Sequence, residues 1–216
     1  MKLDGVIFDM DGTMFDTEPI WQTCWEPALA QFGLPYQEGL AEECRGISGE
    51  VQAGIIRRRY GDDVDGMAVH HALFDVARKK FLEMTVPMKP GLTELLAYLD
   101  ERDIPMAVAT GSDTDMAEHH LEANGIRHYF KHVIGGNEVK RSKPYPDIFL
   151  EGARRLGVDP ASTLVLEDSP AGAKSGTSGG FITVIIPDTL QPDPEDVPKL
   201  YALLQSLYEV PALLEA

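Results

Sequence analysis

Residues 6–18 read VIFDMDGTMFDTE. Val6, Ile7 and Phe8 are strand formers in an unbroken apolar run, the pattern of a strand buried on both faces in a parallel sheet. Asp9 falls where such a strand leaves the sheet, a second carboxylate follows at Asp11, and Gly12-Thr13 completes a D-x-D-G-T segment. In open α/β folds ligands bind outside the carboxyl ends of the strands, so this pair of carboxylates is expected at the edge of a crevice. An EF-hand loop also begins D-x-D, but it needs Gly at its sixth position, whereas here Gly12 is fourth and Thr13 fifth. Taken alone, the segment also reads as a strand-end Asp that caps the next turn.

Three further signals follow in order, each just past an expected buried strand. Ile104-Pro105-Met106-Ala107-Val108-Ala109 runs into Thr110-Gly111-Ser112, a hydroxyl cluster. Lys143 lies in Arg141-Ser142-Lys143-Pro144-Tyr145-Pro146-Asp147, where the prolines stiffen a loop and start a helix. Thr163-Leu164-Val165-Leu166 runs into Glu167-Asp168-Ser169. Singly, each has a plain structural reading: Thr110 and Ser169 as helix N-caps, Lys143 as a solvated loop residue, Glu167-Asp168 as charges favoured near a helix N-terminus.

Together the four resemble the motifs of the haloacid dehalogenase superfamily in type, order and strand-end placement. The first, D-x-D-G-T, is Asp9 to Thr13; the second is Thr110; the third, a Lys followed by Pro, is Lys143; the fourth is Glu167-Asp168. The resemblance covers most of the chain, since Ser169-Pro170-Ala171-Gly172 continues into the small-residue helix that the family carries there. It implies an α/β fold, a Rossmann-like doubly wound parallel sheet with an inserted all-helical cap domain.

Strands are expected near 4–9, 104–109, 132–135, 163–167 and 181–186, alternating with helices. Residues 18–86 contain no convincing strand but helical patches at Trp21–Phe32, Gly49–Tyr60 and Val64–Met84. This segment is the expected cap of about four helices, lying over the active site, with 1–17 and 87–216 forming the core. In the last patch Met67, His71, Phe74, Ala77, Phe81 and Met84 recur at helical spacing and read as packing residues. Thr17 is the expected N-cap of the first cap helix with Pro19 in its first turn, and Met84–Lys89 the second hinge. The loop-like terminal stretch is Pro187–Pro198.

Composition fits such an enzyme: 216 residues are enough for one α/β core plus an insertion, and 44% hydrophobic content is ordinary. A formal charge of −16 argues against nucleic acid or an anionic membrane surface as partner. It also means that a phosphorylated substrate needs a bound divalent metal to reverse the sign locally. Cys24 and Cys44 are the two cysteines, Met1-Lys2-Leu3-Asp4 opens no apolar leader, and no run approaches membrane-spanning length. A cytoplasmic monomer with reduced thiols is expected, its partner a small phosphorylated metabolite.

A phosphomonoester dianion and a carboxylate repel each other by ~1 kcal/mol per charge pair at 4 Å in water and by about 4 kcal/mol at an effective dielectric of 20. Mg²⁺, a hard cation that takes carboxylate, carbonyl and phosphate oxygens, suits such a site. The resemblance implies metal ligands at Asp9 (carboxylate), Asp11 (backbone carbonyl), Asp168 (carboxylate) and Glu167 (directly or through water). It implies Asp9 as nucleophile, Asp11 as acid and base, Lys143 as the charge-balancing cation and Thr110 as a donor to the phosphoryl group. Amides around Asp11 and Gly12 and after Thr110, at Gly111 and Ser112, would complete the cradle.

Arg45-Gly46-Ile47-Ser48-Gly49 resembles a stretch facing the leaving group in family members with this cap; Arg45 is a candidate substrate contact or, equally, an intracap salt-bridge residue. Trp21 and Trp25 are candidate pocket residues or cap core, and Trp21 stands where β-phosphoglucomutases of the family carry a His. His70, His71, His119, His120, His128 and His132 form no metal-ligand pattern. Three functions therefore compete: a Mg²⁺-dependent phosphatase of sugar or polyol phosphates, a phosphoglucomutase-type isomerase, and a receiver domain, whose phosphoacceptor belongs at the third strand rather than the first. Glycines at 172, 176, 179 and 180 predict a weak helix after the fourth motif that depends on close packing against the sheet.

Overall fold

The computed structural model describes residues 3–47 and 49–215; Met1, Lys2, Ser48 and Ala216, and with Ser48 part of the Arg45–Gly49 stretch, lie outside it. The chain divides into two compact units, Met1–Asp16 with Thr85–Ala216, and Thr17–Met84. The divisions fall one residue before and two residues before the bounds expected from sequence.

The first strand, β1, is Gly5–Phe8, buried throughout. The second unit follows as α1 (Glu18–Gln22), α2 (Trp25–Ala30), α3 (Leu40–Cys44), α4 (Gly49–Tyr60) and α5 (Gly66–Glu83). The first unit resumes with α6 (Leu92–Asp100), β2 (Met106–Ala109), α7 (Thr114–Ala123), β3 (Phe130–Ile134), α8 (Asp147–Leu156), β4 (Thr163–Glu167), α9 (Pro170–Ser178), β5 (Ile182–Ile185), β6 (Ala202–Leu203) and α10 (Val210–Glu215).

The six strands form one parallel sheet in the order β3-β2-β1-β4-β5-β6. The chain runs outward from β1 through β2 to β3, then returns to the other side of β1 at β4. The order thus reverses at β1, and the crevice of a doubly wound sheet opens at such a switch point, beyond the carboxyl ends of β1 and β4. Asp9 and Glu167-Asp168 are the residues at those ends. Residues of β1, β2 and β4 are buried on both faces: Ile7, Ala107, Ala109 and Val165, with Ile134 of β3, pack with Ile148, Phe149 and Ala153 of α8 and with Phe181, while Phe8 meets Phe130 edge-on.

Where the chain leaves and re-enters this unit, its two segments pair. Asp16 N donates to Pro87 O (2.9 Å), Lys89 N to Met14 O (2.8 Å), and Phe15 bridges Met88 in antiparallel fashion.

Within the second unit α5 packs on α2 and α4. Its buried side includes Val69, His70, Ala72, Leu73, Ala77 and Phe81. This corrects the expected stripe: Ala77 and Phe81 are buried, but His71, Phe74 and Met84 are exposed and Met67 is half-buried. The Trp21–Phe32 patch is two helices broken at Thr23-Cys24, and α3 was not anticipated, giving five helices among the described residues. Thr17 occupies the N-cap position of α1 but makes no side-chain capping bond. His70 Nδ1 donates to Gln52 Oε1, whose amide donates to Ile47 O (2.9 Å), tying α5 to α4.

The expected terminal loop runs into structure. Tyr201 N donates to Thr183 O (2.8 Å) and Leu204 N to Ile185 O (2.9 Å), adding β6 to the sheet edge, and α10 packs on α6. Two residues are too short a strand for period-two patterning to reveal. No helix among the described residues is long and apolar enough to cross a membrane.

Candidate active site

The first unit brings together side chains from the ends of β1, β2 and β4 and from the loop between β3 and α8. Lys143, in the loop before α8, places Nζ against Asp9 Oδ1 and 2.7 Å from Glu167 Oε1. The other oxygen of Glu167 accepts from the amides of Asp168 (2.7 Å) and Ser169 (2.6 Å). Asp168 accepts from the Thr13 hydroxyl (3.2 Å). Asp11 Oδ2 accepts from the hydroxyls of Ser112 (2.8 Å) and Thr110 (3.2 Å).

Glycines permit these approaches. Gly12 has φ +86°, and a Cβ on it would overlap the Asp168 carboxylate; a Cβ on Gly172, in the first turn of α9, would overlap that of Glu167. Gly176 faces β5, where a Cβ would lie 2.6 Å from Thr183 Oγ1. The small residues of α9 are thus a requirement of contact with the sheet and with Glu167. Ser169 caps that helix, accepting from Gly172 N (3.0 Å), as its simpler reading proposed. Thr110 is not a cap; α7 begins after Asp113.

Charge is out of balance here. Burial drives the Asp9 carboxyl up from 3.8 to about 7, with repulsion from Glu167 and Asp11 adding to the rise and Lys143 opposing it. Asp168 is raised well above the usual carboxylate range by burial, then by Glu167 and Asp9. Burial disfavours the Lys143 ammonium, but Asp9 and Glu167 outweigh it and hold the lysine charged. Oxygens of Asp9, Glu167 and Asp168 all lie within 4.8 Å of one another. Buried hard oxygen donors with a single ammonium among them fit a divalent cation such as Mg²⁺. A second acidic group, Asp193, Glu195 and Asp196, has cations of its own: Lys174 lies 2.7 Å from Asp193 and Lys199 2.7 Å from Asp196.

The Gly12 amide donates to Phe15 O (2.9 Å) and that of Ser112 to Thr110 Oγ1 (3.1 Å), so both have partners within the protein. Gly111 is exposed. Arg45 and Trp21 belong to the second unit, where Arg45 pairs with Glu18 (2.7 Å) and Trp21 meets the rings of Phe74 (5.0 Å) and Phe81 (5.6 Å). Two features were not anticipated. Thr13 was legible as the last residue of D-x-D-G-T. Asp188, whose charge reaches Asp168 and whose carboxylate binds Lys89 at 2.6 Å, lies 99 positions from that lysine, and no local signal links them.

Residues 6–186 match the haloacid dehalogenase-like hydrolase family. The chain is 35% identical over 180 residues to the fructose-1-phosphate phosphatase YqaB of Escherichia coli, covering 83% of this chain and 94% of that one. It is 34% identical over 199 residues to (DL)-glycerol-3-phosphatase 2 of Arabidopsis thaliana, covering 87% and 80%. The crystal structure of CbbY from Rhodobacter sphaeroides in complex with phosphate matches at TM-score 0.78 and 25% identity, over 96% of each chain. Motif order, sheet topology and these similarities agree: the chain belongs to the haloacid dehalogenase-like hydrolases and is a phosphatase of that family.

Proposed function

We propose that the protein is a Mg²⁺-dependent hydrolase of small sugar or polyol monophosphates, acting through an aspartyl phosphate on Asp9. The observation that carries this reading is the cluster of Asp9, Glu167 and Asp168 around the single ammonium of Lys143, at the point where the strand order reverses. Asp9 and Asp168, with the Asp11 carbonyl, would hold the metal; both oxygens of Glu167 already have partners, so it serves to orient Lys143 and to reach the metal through water. When bound, the metal would supply positive charge that keeps Asp9 ionised and offsets the phosphate dianion.

In the first half-reaction an Asp9 carboxylate oxygen attacks phosphorus in line, the ester P–O bond breaks, and the departing alkoxide takes a proton from Asp11. Thr110 donates a hydrogen bond from its hydroxyl to a phosphoryl oxygen, and Lys143 balances charge on Asp9 and the phosphoryl group. Water then attacks phosphorus, gives its proton to Asp11, and the Asp9–phosphate bond breaks to release inorganic phosphate.

The relatives act, by name, on fructose 1-phosphate and glycerol 3-phosphate, esters whose alcohol carries no charge; this supports a sugar or polyol monophosphate as substrate here. Residues 18–86 are proposed as the cap that chooses among such esters, with Arg45 and Trp21 as its candidate contacts. Packing of the Trp21 indole with Phe74 and Phe81 favours water over a mutase relay, since indole cannot exchange a proton as imidazole does. The test is phosphate release from a panel of monoesters with Mg²⁺ or with excess chelator. Activity undiminished in chelator overturns the metal-dependent mechanism. β-Glucose 1-phosphate with catalytic 1,6-bisphosphate, followed for glucose 6-phosphate and inorganic phosphate, separates the classes: isomer formation greatly outpacing release would make the protein a mutase.

A further inference from the structure

Two hydroxyls converge on one oxygen of Asp11. Ser112 Oγ lies 2.8 Å and Thr110 Oγ1 3.2 Å from the same atom, Oδ2. A hydroxyl has one proton to donate. In the mechanism above, Thr110 turns its proton toward a phosphoryl oxygen, so Ser112 is the hydroxyl that stays with Asp11 when substrate is bound.

Ser112 is itself held from two sides. Its amide donates to Thr110 Oγ1 (3.1 Å) and its carbonyl accepts from the Gly136 amide (2.9 Å). The loop around it sits closely on residues 135–138: a Cβ on Gly136 would lie 2.5 Å from Gly111 O, Asn137 Oδ1 accepts from the Thr114 amide (3.0 Å), and the Thr114 hydroxyl donates to Glu138 Oε1 (2.6 Å). The donor is therefore fixed before any substrate arrives, the condition for orienting a catalytic group within a fraction of an ångström.

We propose that Ser112 is a positioning residue for proton transfer: by donating to Oδ2 it leaves the transferable proton of Asp11 on Oδ1 and fixes that oxygen's direction toward the leaving alcohol. This rests on the reading of Asp11 as general acid. It replaces the role of phosphate contact expected from the sequence, and it gives the T-G-S spacing a reason, since Thr110 and Ser112 meet the same carboxylate oxygen from one loop.

The roles separate by leaving group. p-Nitrophenol is acidic enough to depart as its anion, whereas glycerol must be protonated as it leaves. With Mg²⁺ present, kcat/KM, which covers only the steps through alcohol release, is measured for p-nitrophenyl phosphate and glycerol 3-phosphate. The Ser112→Ala variant is expected to lose on the order of 10-fold on the alkyl ester and less than about twofold on the aryl ester. Ser112→Thr, which keeps a hydroxyl, should restore the wild-type ratio. Equal losses on both esters would assign Ser112 to phosphate binding or to scaffolding and overturn the proposal, as would no loss on either. A wild-type protein that hydrolyses neither ester would instead overturn the phosphatase mechanism on which it rests.

Discussion

The carboxylate of Asp168 lies against Gly12 so closely that a Cβ on the glycine would occupy its place. The two residues are 156 positions apart, and their contact joins the first motif to the fourth. Gly12→Ala should therefore displace Asp168, in addition to a backbone cost of about 1–2 kcal/mol for a side chain in the left-handed region. The expected result is a folded protein whose activity needs at least about tenfold more Mg²⁺ to saturate, a shift of roughly 1.4 kcal/mol. Titration of turnover against Mg²⁺ checks it; an unchanged midpoint would mean that Asp168 does not hold the metal.

Asp9→Asn should abolish turnover with the fold intact, because an amide does not attack phosphorus effectively. Asp11→Asn should keep metal and substrate binding while slowing the reaction by on the order of 10² to 10⁴. Circular dichroism and single-turnover kinetics distinguish the two. Loss of metal binding by the Asp11 variant would contradict a backbone ligand at that position.

Stability should respond to pH and metal together. Asp9 rises from 3.8 in the unfolded chain to about 7 in the fold, and Asp168 rises as well. A carboxyl whose folded value is raised contributes stability that is complete below its unfolded value and is lost as pH rises through the folded one. The metal-free protein should thus weaken between about pH 4 and pH 7 as Asp9 ionises, and Asp168 acts in the same direction. A cation favours their ionised forms, so the increase in Tm produced by Mg²⁺ should be larger at about pH 8 than at about pH 5. At 100 times the dissociation constant the stabilisation is about 2.7 kcal/mol. Equal Tm increases at both pH values would count against carboxylate ligation.

Helix α9 tests the other glycine contacts. Gly172→Ala would drive a methyl group into the Glu167 carboxylate and Gly176→Ala into Thr183. Each should cost about 1–3 kcal/mol, the usual penalty of overpacking. Only the first should also lower turnover, because Glu167 holds Lys143. In the parent protein, amide exchange in α9 should be faster than in α8. Equal, strong protection would show that packing has fully compensated for weak helix propensity.

Much of the fold was legible because buried parallel strands leave a plain trace: short apolar runs, each ending in a polar motif. Asp9, Thr110 and Glu167-Asp168 follow such runs, and their strand ends align in the sheet. The second unit was less legible. In α5 apolar residues occur on more than one side, so more than one helical stripe can be drawn; of the line through Met67, His71, Phe74, Ala77, Phe81 and Met84 only Ala77 and Phe81 are buried, together with Val69 and Leu73 from beside it. Contact with α2 and α4 decided between them, and a period alone carries no information about the partner.

The sequence by itself determined the strand–motif order and the chemistry available at each strand end, because backbone propensity and burial act over a few residues at a time. Tertiary structure alone decided which partners those groups take. Lys143 reaches both Asp9 and Glu167, Ser112 reaches Asp11, Lys89 is bound to Asp188, and Arg45 to Glu18. Such pairings depend on strand order and on contact between distant segments, where a glycine matters for the carboxylate lying against it rather than for its own neighbours in the chain.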